Sequence, residues 1–333
     1  MTNPYSPQSP VFEPESFFGR GQELEEIAVY LRGNQSVSLV GPEMFGRTSL
    51  LLRLAHADAR VALGLGDEYL LVAVNSDQLA SGGPNDLFGK LGEAVLAALS
   101  EADLPVEPPA AEPSKSGFEA VVRRLNQRGL KLVILLDDFE HLAANPEVDR
   151  SFYNALRSAA GRFQLAFVTT SAKPLIDLTY AHGTLDILSS PFFNIFAAIR
   201  LGPLSEDEAR LLVSALRSPE REAAIVELVG GHPWALQLAC DYAWETGTGM
   251  DAVSLHVSQS MAAYFQRQWE HLSEDEQRIL KYLADDWVEQ PGTTRLRVAL
   301  RDLMEKGVLL PETGSYRFAS ATWRDFVANK DTA

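Results

Sequence analysis

Between residues 20 and 170, apolar segments that favour β-strands alternate with segments of helical periodicity, and this alternation constrains the fold more than any other feature of the sequence. The apolar segments are 36–40, 69–74, 130–136 and 165–169. The helical segments are 22–32, 49–55, 87–99 and 152–160. Strands that are apolar on both faces and alternate with helices form a parallel sheet with helices on both sides. The sequence therefore predicts an α/β fold built on a parallel sheet.

The second part of the chain has a different pattern. From about Leu204 the predicted strands stop, and helical periodicity continues through 206–216, 220–229 and 234–245, which favours a small helical lid. Further helices are predicted at 274–284 and 296–306, and a β-hairpin follows with strands at 307–310 and 315–318. Helices followed by such a hairpin are typical of a winged helix.

These patterns divide the chain into four parts. Residues 1–16 are polar and rich in proline, and we expect a disordered tail because this composition buries too little apolar surface to become ordered. The parts that follow are the α/β core at 17–203, the lid at 204–262 and the winged-helix domain at 263–333. Within the core, the segment 102–116 carries proline and glutamate and is predicted to be a surface excursion.

Composition narrows the classes of function. The 29 basic and 45 acidic residues give a net charge of −16 at pH 7, so long-range attraction does not favour nucleic acid or an anionic membrane as partner. A single cysteine, Cys240, permits no internal disulfide and no cysteine-rich zinc site, which fits a reducing compartment. Neither a signal peptide nor a run of ~18 apolar residues is found, so the expected location is the cytoplasm.

A glycine-containing segment, 41–49, follows the first predicted strand and opens the next helix. It has the spacing G-x-x-x-x-G-K-[ST] of a phosphate-binding loop, with Arg47 at the position of the lysine. Backbone N–H groups of such a turn and the helix N-terminus converge on an anion, and the hydroxyl of Thr48 can reach Mg²⁺. The predicted cofactor-binding residues of this loop are Gly41, Pro42, Gly46, Arg47, Thr48 and Ser49. The alternative is an ordinary glycine turn between a strand and a helix.

Two acids, Asp137 and Asp138, follow the predicted strand 130–136. They would lie at the carboxyl edge of the sheet, where open α/β sheets bind their ligands. We predict that Asp137 holds Mg²⁺, largely through water, and that Asp138 is catalytic because it orients or polarises the attacking water. The alternative is that Asp138 only caps the helix beginning near Phe139, a contribution of about 1 kcal/mol.

Three shorter segments resemble motifs of AAA+ and STAND ATPases. The segment 17–20, Phe-Phe-Gly-Arg, resembles a hydrophobic-Gly-Arg motif that lies against the nucleotide base in those proteins. The polar strand end 169–171 resembles their sensor of the γ-phosphate, and 230–233, Gly-Gly-His-Pro, resembles the G-x-P motif of STAND lids. This resemblance assigns nucleotide binding to Phe18, Gly19, Arg20, Ser171 and Pro233. Each motif also has a structural alternative: Phe18 would be a core residue, 169–171 would cap a strand end, and 230–233 would be a break between two helices.

In this order, the motifs resemble the archaeal-type and STAND branch of the AAA+-related P-loop ATPases over about residues 16–328. The resemblance implies ATP or ADP and Mg²⁺ as cofactors, nucleotide bound between the sheet and the lid, and an ATP-dependent conformational switch. Two residues depart from the family pattern. Arg47 keeps the charge of the lysine but is planar and bulkier, and Glu43 adds a carboxylate that repels phosphate unless it turns outward. We therefore expect weak ATPase activity or none.

Three functions remain open. The first is an ATP-binding switch or assembly regulator that works with a protein partner supplying a sensor or effector and that forms nucleotide-dependent homo-oligomers. The second is a pseudo-ATPase scaffold that binds no nucleotide. The third is a DNA-binding regulator whose basic residues on or beside the second helix of the winged-helix domain are Arg295, Arg297, Arg301 and Lys306. The first function is favoured by the presence of Thr48, Asp137 and Asp138. The DNA-binding regulator is the least favoured, because acidic residues lie in the same small domain as the basic ones.

Overall fold

The structure is a computed structural model that describes residues 3–11, 13–102, 113–179, 191–284, 294–313 and 315–331. The strands are β1 (Ser36–Val40), β2 (Tyr69–Asn75), β3 (Lys131–Asp137), β4 (Leu165–Ser171), β5 (Phe196–Arg200), β6 (Leu309–Glu312) and β7 (Ser315–Phe318). The helices of the first part are α1 (Gly21–Arg32), α2 (Arg47–Ala55), α3 (Ala57–Ala62), α4 (Pro84–Glu101), α5 (Lys115–Gln127), α6 (Glu140–Ala143), α7 (Arg150–Arg162) and α8 (Leu175–Thr179). The later helices are α9 (Glu206–Val213), α10 (Pro219–Val229), α11 (Pro233–Thr246), α12 (Met250–Glu270), α13 (Glu274–Ala284), α14 (Thr294–Glu305) and α15 (Ala321–Ala328).

The described residues form two compact units. The first, which we call the α/β unit, comprises Gly21–Glu43 and Arg47–Leu201. The second, the helical unit, comprises Met1–Arg20, Met44–Gly46 and Gly202–Ala333. The three residues Met44–Gly46 lie inside the predicted phosphate loop, so the chain leaves the α/β unit and returns to it within that loop.

The α/β unit is built on a parallel five-stranded sheet in the order β2-β3-β4-β1-β5, which confirms the predicted fold class. In a parallel sheet all carboxyl ends lie at the same edge. The register pairs Val40 with Ser171 and Asn75 with Asp137, so the ends of four strands are nearly level there. Because β4 lies between β3 and β1, the last residues of β4 lie between the ends of these two strands.

Burial explains why these segments form the sheet. Every residue of β4 is buried, as are the five central residues of β3, which is the pattern of strands covered on both faces. Phe139, directly after the acids, is fully buried and contributes to an aromatic cluster with Tyr153 and Phe192. This cluster anchors the chain immediately beyond the carboxyl end of β3.

Some elements of the α/β unit differ from the sequence prediction. Strand β5 was not predicted; it lies at the edge of the sheet, and only Ile199 of its five residues is buried. Helix α5 begins at Lys115, at the end of the predicted excursion 102–116. Residues 103–112 of that excursion lie outside the described residues.

The helical unit contains the helices expected for the lid and a further long helix, α12, that was not predicted. Its buried residues Val253, Val257, Met261 and Tyr264 recur every three or four positions, but polar residues interrupt the pattern in the sequence. Helices α13 and α14 are followed by the antiparallel hairpin β6-β7 and by α15, the element order of a winged helix. Among the described residues, no helix has the length and apolarity needed to span a bilayer.

The N-terminal segment differs from the disordered tail expected for residues 1–16. Tyr5 is buried in the helical unit, and its hydroxyl donates to the carbonyl of Leu212 at 3.3 Å. The indole N–H of Trp234 donates to the carbonyl of Pro7 at 3.1 Å. Composition averaged over sixteen residues misses this order because one aromatic side chain and a few backbone hydrogen bonds fix the described part of the segment.

Candidate functional site

The glycine loop connects β1, which ends at Val40, to α2, which begins at Arg47. A Cβ atom on Gly41 would lie 2.8 Å from the Cβ of Leu201 and 3.0 Å from its carbonyl oxygen, so only glycine fits here. Gly46 has φ +81°, a conformation that other residues adopt only with strain. The backbone therefore requires both glycines of the motif.

Asp137 connects three elements at the edge of the sheet. Its Oδ2 accepts a hydrogen bond from the hydroxyl of Thr48 in the first turn of α2, at 2.8 Å. Its Oδ1 accepts one from the hydroxyl of Thr170 near the end of β4, at 2.6 Å. The two residues predicted to hold the metal, Thr48 and Asp137, are thus in direct contact, and both are oxygen donors of the kind that Mg²⁺ prefers.

Thr170 was not singled out by sequence reasoning, which chose Ser171 from the same strand end. Thr170 is fully buried, and its hydroxyl also accepts the backbone N–H of Asp138 at 2.8 Å. The hydroxyl of Ser171 instead donates to the carbonyl of Lys173 at 2.7 Å. The polar contact between β4 and the two acids is therefore made by Thr170.

Asp138 has φ +49°, in the left-handed region that aspartate tolerates better than most residues. Its Oδ1 accepts a hydrogen bond from Nη2 of Arg47 at 2.9 Å. The N-terminal cap position of α6 is Phe139, which makes no side-chain capping hydrogen bond. Asp138 therefore pairs with the arginine of the glycine loop, and the simple capping alternative does not describe its position.

The surroundings of Asp138 shift the pKa of its carboxyl group upward. Burial raises the pKa of its carboxyl group above the ordinary range, Arg47 opposes this, and the nearby Asp137 and Glu140 raise the pKa further. A raised pKa brings a carboxylate closer to the working pH of a general base. Asp138 thus has the chemistry of a proton acceptor, although it is held in an ion pair.

Glu140 is a third acid of this edge, and no role was predicted for it. Its Oε1 accepts the backbone N–H of Ala172 and lies 3.8 Å from Nη1 of Arg47. The Arg47 side chain is only 12 % exposed, against 44 % for Asp138. The sequence carried a signal, since Glu140 stands three residues after Asp137 in the same acidic segment.

The helical unit contains the other predicted residues: Phe18, Gly19, Arg20, Gly46 and Pro233. The guanidinium of Arg20 donates to the carbonyl of Gly202 at 2.6 Å and to that of Phe45 at 3.2 Å, so in this structure it binds the protein backbone. Phe18 is partly buried against the core of this unit, and Pro233 is the first residue of α11.

His232 is the N-terminal cap of α11, where its Nδ1 accepts the N–H of Ala235 at 3.4 Å. Its ring lies 4.6 Å from the ring of Phe45, the buried aromatic residue of the glycine loop. Burial lowers the pKa of His232 from 6.5 to about 3, so the ring is neutral at physiological pH. The lid motif and the tip of the loop are therefore packed together inside the helical unit.

A glycine loop after β1, paired acids at the carboxyl end of β3 and the strand order β2-β3-β4-β1-β5 define a P-loop NTPase fold. The family model described as Novel STAND NTPase 2 matches residues 105–285, more than half of the chain. The chain belongs to this family. The matched segment contains Asp137, Asp138 and the lid motif, whereas the glycine loop lies outside it.

Solved structures agree with this fold. The Walker-type ATPase PABY2304 of Pyrococcus abyssi matches with a TM-score of 0.65 and 16 % identity, over 96 % of this chain and 98 % of that chain. The ADP form of the ORC2 protein of Aeropyrum pernix matches with a TM-score of 0.59 and 15 % identity, over 98 % of both chains. Comparison with curated proteins gives no significant match.

Proposed function

We propose that the protein is an ATP-binding conformational switch or assembly regulator that hydrolyses ATP slowly or not at all. The observation that carries this proposal is the direct contact between Thr48 and Asp137 at the carboxyl edge of the sheet, beside a glycine loop that opens a helix. A chain that had lost all nucleotide chemistry would have no chemical need for this pair. The family, whose description is that of an NTPase, supports the same reading.

The residues of the edge fit MgATP. Backbone N–H groups at the start of α2 and in the glycine loop would bind phosphate oxygens, because a helix N-terminus carries a partial positive charge. The Thr48 hydroxyl and the Asp137 carboxylate, which already touch each other, would hold Mg²⁺. When bound there, Mg²⁺ would neutralise part of the negative charge of the phosphate groups.

Slow hydrolysis is supported by the ion pair between Arg47 and Asp138. Asp138, which would accept a proton from water, is paired with the guanidinium of Arg47. Arg47, which would neutralise the phosphates, is therefore occupied by the same contact. Arginine keeps a positive charge and several donors, so binding can survive where positioning for phosphoryl transfer fails.

The switch is supported by the tip of the glycine loop. Phe45 is buried in the helical unit, with its ring against His232 and its carbonyl bound by Arg20. Since phosphate binding acts on the loop backbone, a change there would also act on the residues that hold Phe45. Through these contacts, ATP binding at the loop would change the conformation of the lid. A protein partner or a second copy that binds the lid would then respond to the bound nucleotide.

A DNA-binding regulator remains a second proposal, because Arg295, Arg297 and Arg301 are exposed on α14. Two of them, however, lie against acids of their own domain: Arg295 pairs with Asp275, and Arg301 lies 3.7 Å from Glu305. Such intramolecular pairs reduce the charge available to phosphates. We therefore rank DNA below a protein partner.

Hydrogen exchange tests the proposed function. We expect MgATP to slow the exchange of the backbone amides in 41–49, and to change exchange around His232 in the lid motif as well. Protection that is confined to the loop would support binding without a switch. An exchange pattern identical with and without millimolar MgATP would contradict the proposal and favour the nucleotide-free scaffold.

A further inference from the structure

The guanidinium of Arg47 lies near two carboxylates, but it forms a hydrogen bond with only one of them. Its Nη2 donates to Asp138 at 2.9 Å, whereas its Nη1 lies 3.8 Å from Oε1 of Glu140, too far for a hydrogen bond. The attraction between Arg47 and Glu140 is therefore one of charge alone. With only 12 % of its side chain exposed, Arg47 has little access to water.

Two buried atoms at this place have no hydrogen-bond partner among the described residues: Nη1 of Arg47 and Oε2 of Glu140. The other oxygen of Glu140 is held by the backbone N–H of Ala172, so the carboxylate is anchored to the chain just after β4. Buried polar atoms without partners destabilise the arrangement that contains them. The guanidinium is thus held in a position that leaves one of its donors unsatisfied.

We infer that Glu140 is a positioning residue for Arg47: together with Asp138 it holds the guanidinium at the acids, and Arg47 exchanges between these carboxylates and a phosphate group of the nucleotide. The inference rests on the proposed function. A phosphate oxygen would provide Nη1 with the acceptor that it lacks, and arginine forms strong charge-assisted pairs with phosphate. The same movement would release Asp138 from its ion pair.

This exchange would make the affinity for ATP depend on Glu140, although Glu140 itself need not touch the nucleotide. Neutralising Glu140 removes one of the two attractions that compete with phosphate for Arg47. We expect E140Q to bind MgATP about fivefold more tightly than the wild type, the effect of one partly buried ion pair.

Calorimetric titration with MgATP tests whether the gain in affinity arises through Arg47 or only from removing the repulsion between the Glu140 carboxylate and the phosphates. The control is D77N, because Asp77 lies just beyond the carboxyl end of β2 and contacts His141. Glutamine at position 47 has no charge for Glu140 to attract, so we expect E140Q to gain no more affinity than D77N in an R47Q background. An equal gain from E140Q in the wild-type and R47Q backgrounds, or an equal gain from D77N in the wild-type background, would overturn the inference.

Thermal unfolding without nucleotide separates this inference from the proposed function. If neither the wild type nor E140Q bound MgATP, the proposed function would fail, whereas the coupling between Arg47 and Glu140 would still be measurable. We expect the changes in melting temperature of R47Q and E140Q to be non-additive in the double variant, because R47Q removes the charge that Glu140 attracts. Additive changes would show that the two side chains are independent, and the inference would fail.

Discussion

Nη2 of Arg47 lies 2.9 Å from Oδ1 of Asp138, so the cation of the glycine loop is paired with the acid that we propose as the proton acceptor. In most phosphate loops of this spacing the corresponding residue is lysine, a compact point charge. In the proposed function, this one contact engages both the cation that would neutralise the phosphates and the carboxylate that would accept a proton from water. It also makes the consequences testable by single substitutions.

The first prediction concerns turnover. We expect the wild type to bind ATP but to hydrolyse it very slowly, and R47K to raise the rate by tenfold or more, a change of about 1.4 kcal/mol in the barrier. Lysine would fit the β- and γ-phosphates and leave Asp138 unpaired. The rate of phosphate release at saturating MgATP measures the effect.

Asp138→Ala in the R47K background is the matched control, and it should abolish the gain because the proton acceptor is lost. Brisk hydrolysis by the wild type that falls when lysine is introduced would contradict this assignment. It would mean that the loop has adapted its geometry to arginine.

The second prediction concerns pH and the buried His232. Its pKa is about 3 in the folded protein and 6.5 when unperturbed, so between these values the unfolded chain binds a proton that the folded chain does not. Stability is therefore lost as the pH falls below 6.5, by about 2 kcal/mol at pH 5. All five tryptophans lie between residues 234 and 323, so their fluorescence during denaturant unfolding reports on the helical unit.

His232→Asn is the matched variant, because asparagine keeps a capping acceptor for α11 but does not titrate. We expect the variant to lose less stability than the wild type between pH 7 and pH 5. Parallel losses in the two proteins would show that His232 does not carry this pH dependence.

Some features of the fold could be predicted and others could not, for physical reasons. Strands β3 and β4 were predicted because each contains a run of apolar residues, 132–136 and 165–168, as burial on both faces requires. Burial on both faces also explains why the sequence could not show whether Thr170 or Ser171 contacts the acids. Such a strand has no alternation of apolar and polar residues that would indicate which side chain points toward them. That direction depends on the register with β3.

The candidate site was predicted in its motifs but not in its contacts. The spacing of the glycine loop and the acids at the end of a strand indicated Thr48, Asp137 and Asp138. The backbone of Asp138, the partner of Arg47, is left-handed, and Glu140 accepts the backbone N–H of Ala172. Neither feature has a local sequence signature, because both arise from tertiary contacts between β3, β4 and α2.

The third prediction concerns DNA. We expect duplex DNA to bind weakly and to lose affinity steeply as salt rises, because Arg295 and Arg301 are already close to acids and the chain carries a net charge of −16. Fluorescence anisotropy with labelled duplexes of several sequences measures this. A sequence-selective complex that survives at ~0.15 M ionic strength would reverse the ranking of the protein partner and DNA.

The fourth prediction concerns assembly. We expect the mass of the particle to depend on nucleotide, because the tip of the glycine loop is buried in the helical unit and the switch would change that unit. Light scattering without ligand, with ADP and with a nonhydrolysable ATP analogue measures the mass directly. The same monomer under all three conditions would count against autonomous oligomerisation.

The last prediction tests the central claim, that the edge formed by Thr48 and Asp137 binds MgATP. Asp137→Asn is the informative variant, because it keeps the size of the side chain but removes the negative charge that would attract the metal. Calorimetry with ATP in the presence of Mg²⁺ and of EDTA compares the two proteins. We expect the wild type to bind ATP more tightly with Mg²⁺ than with EDTA, and the variant to lose most of that difference. Equal affinity with Mg²⁺ and with EDTA in both proteins would contradict the account.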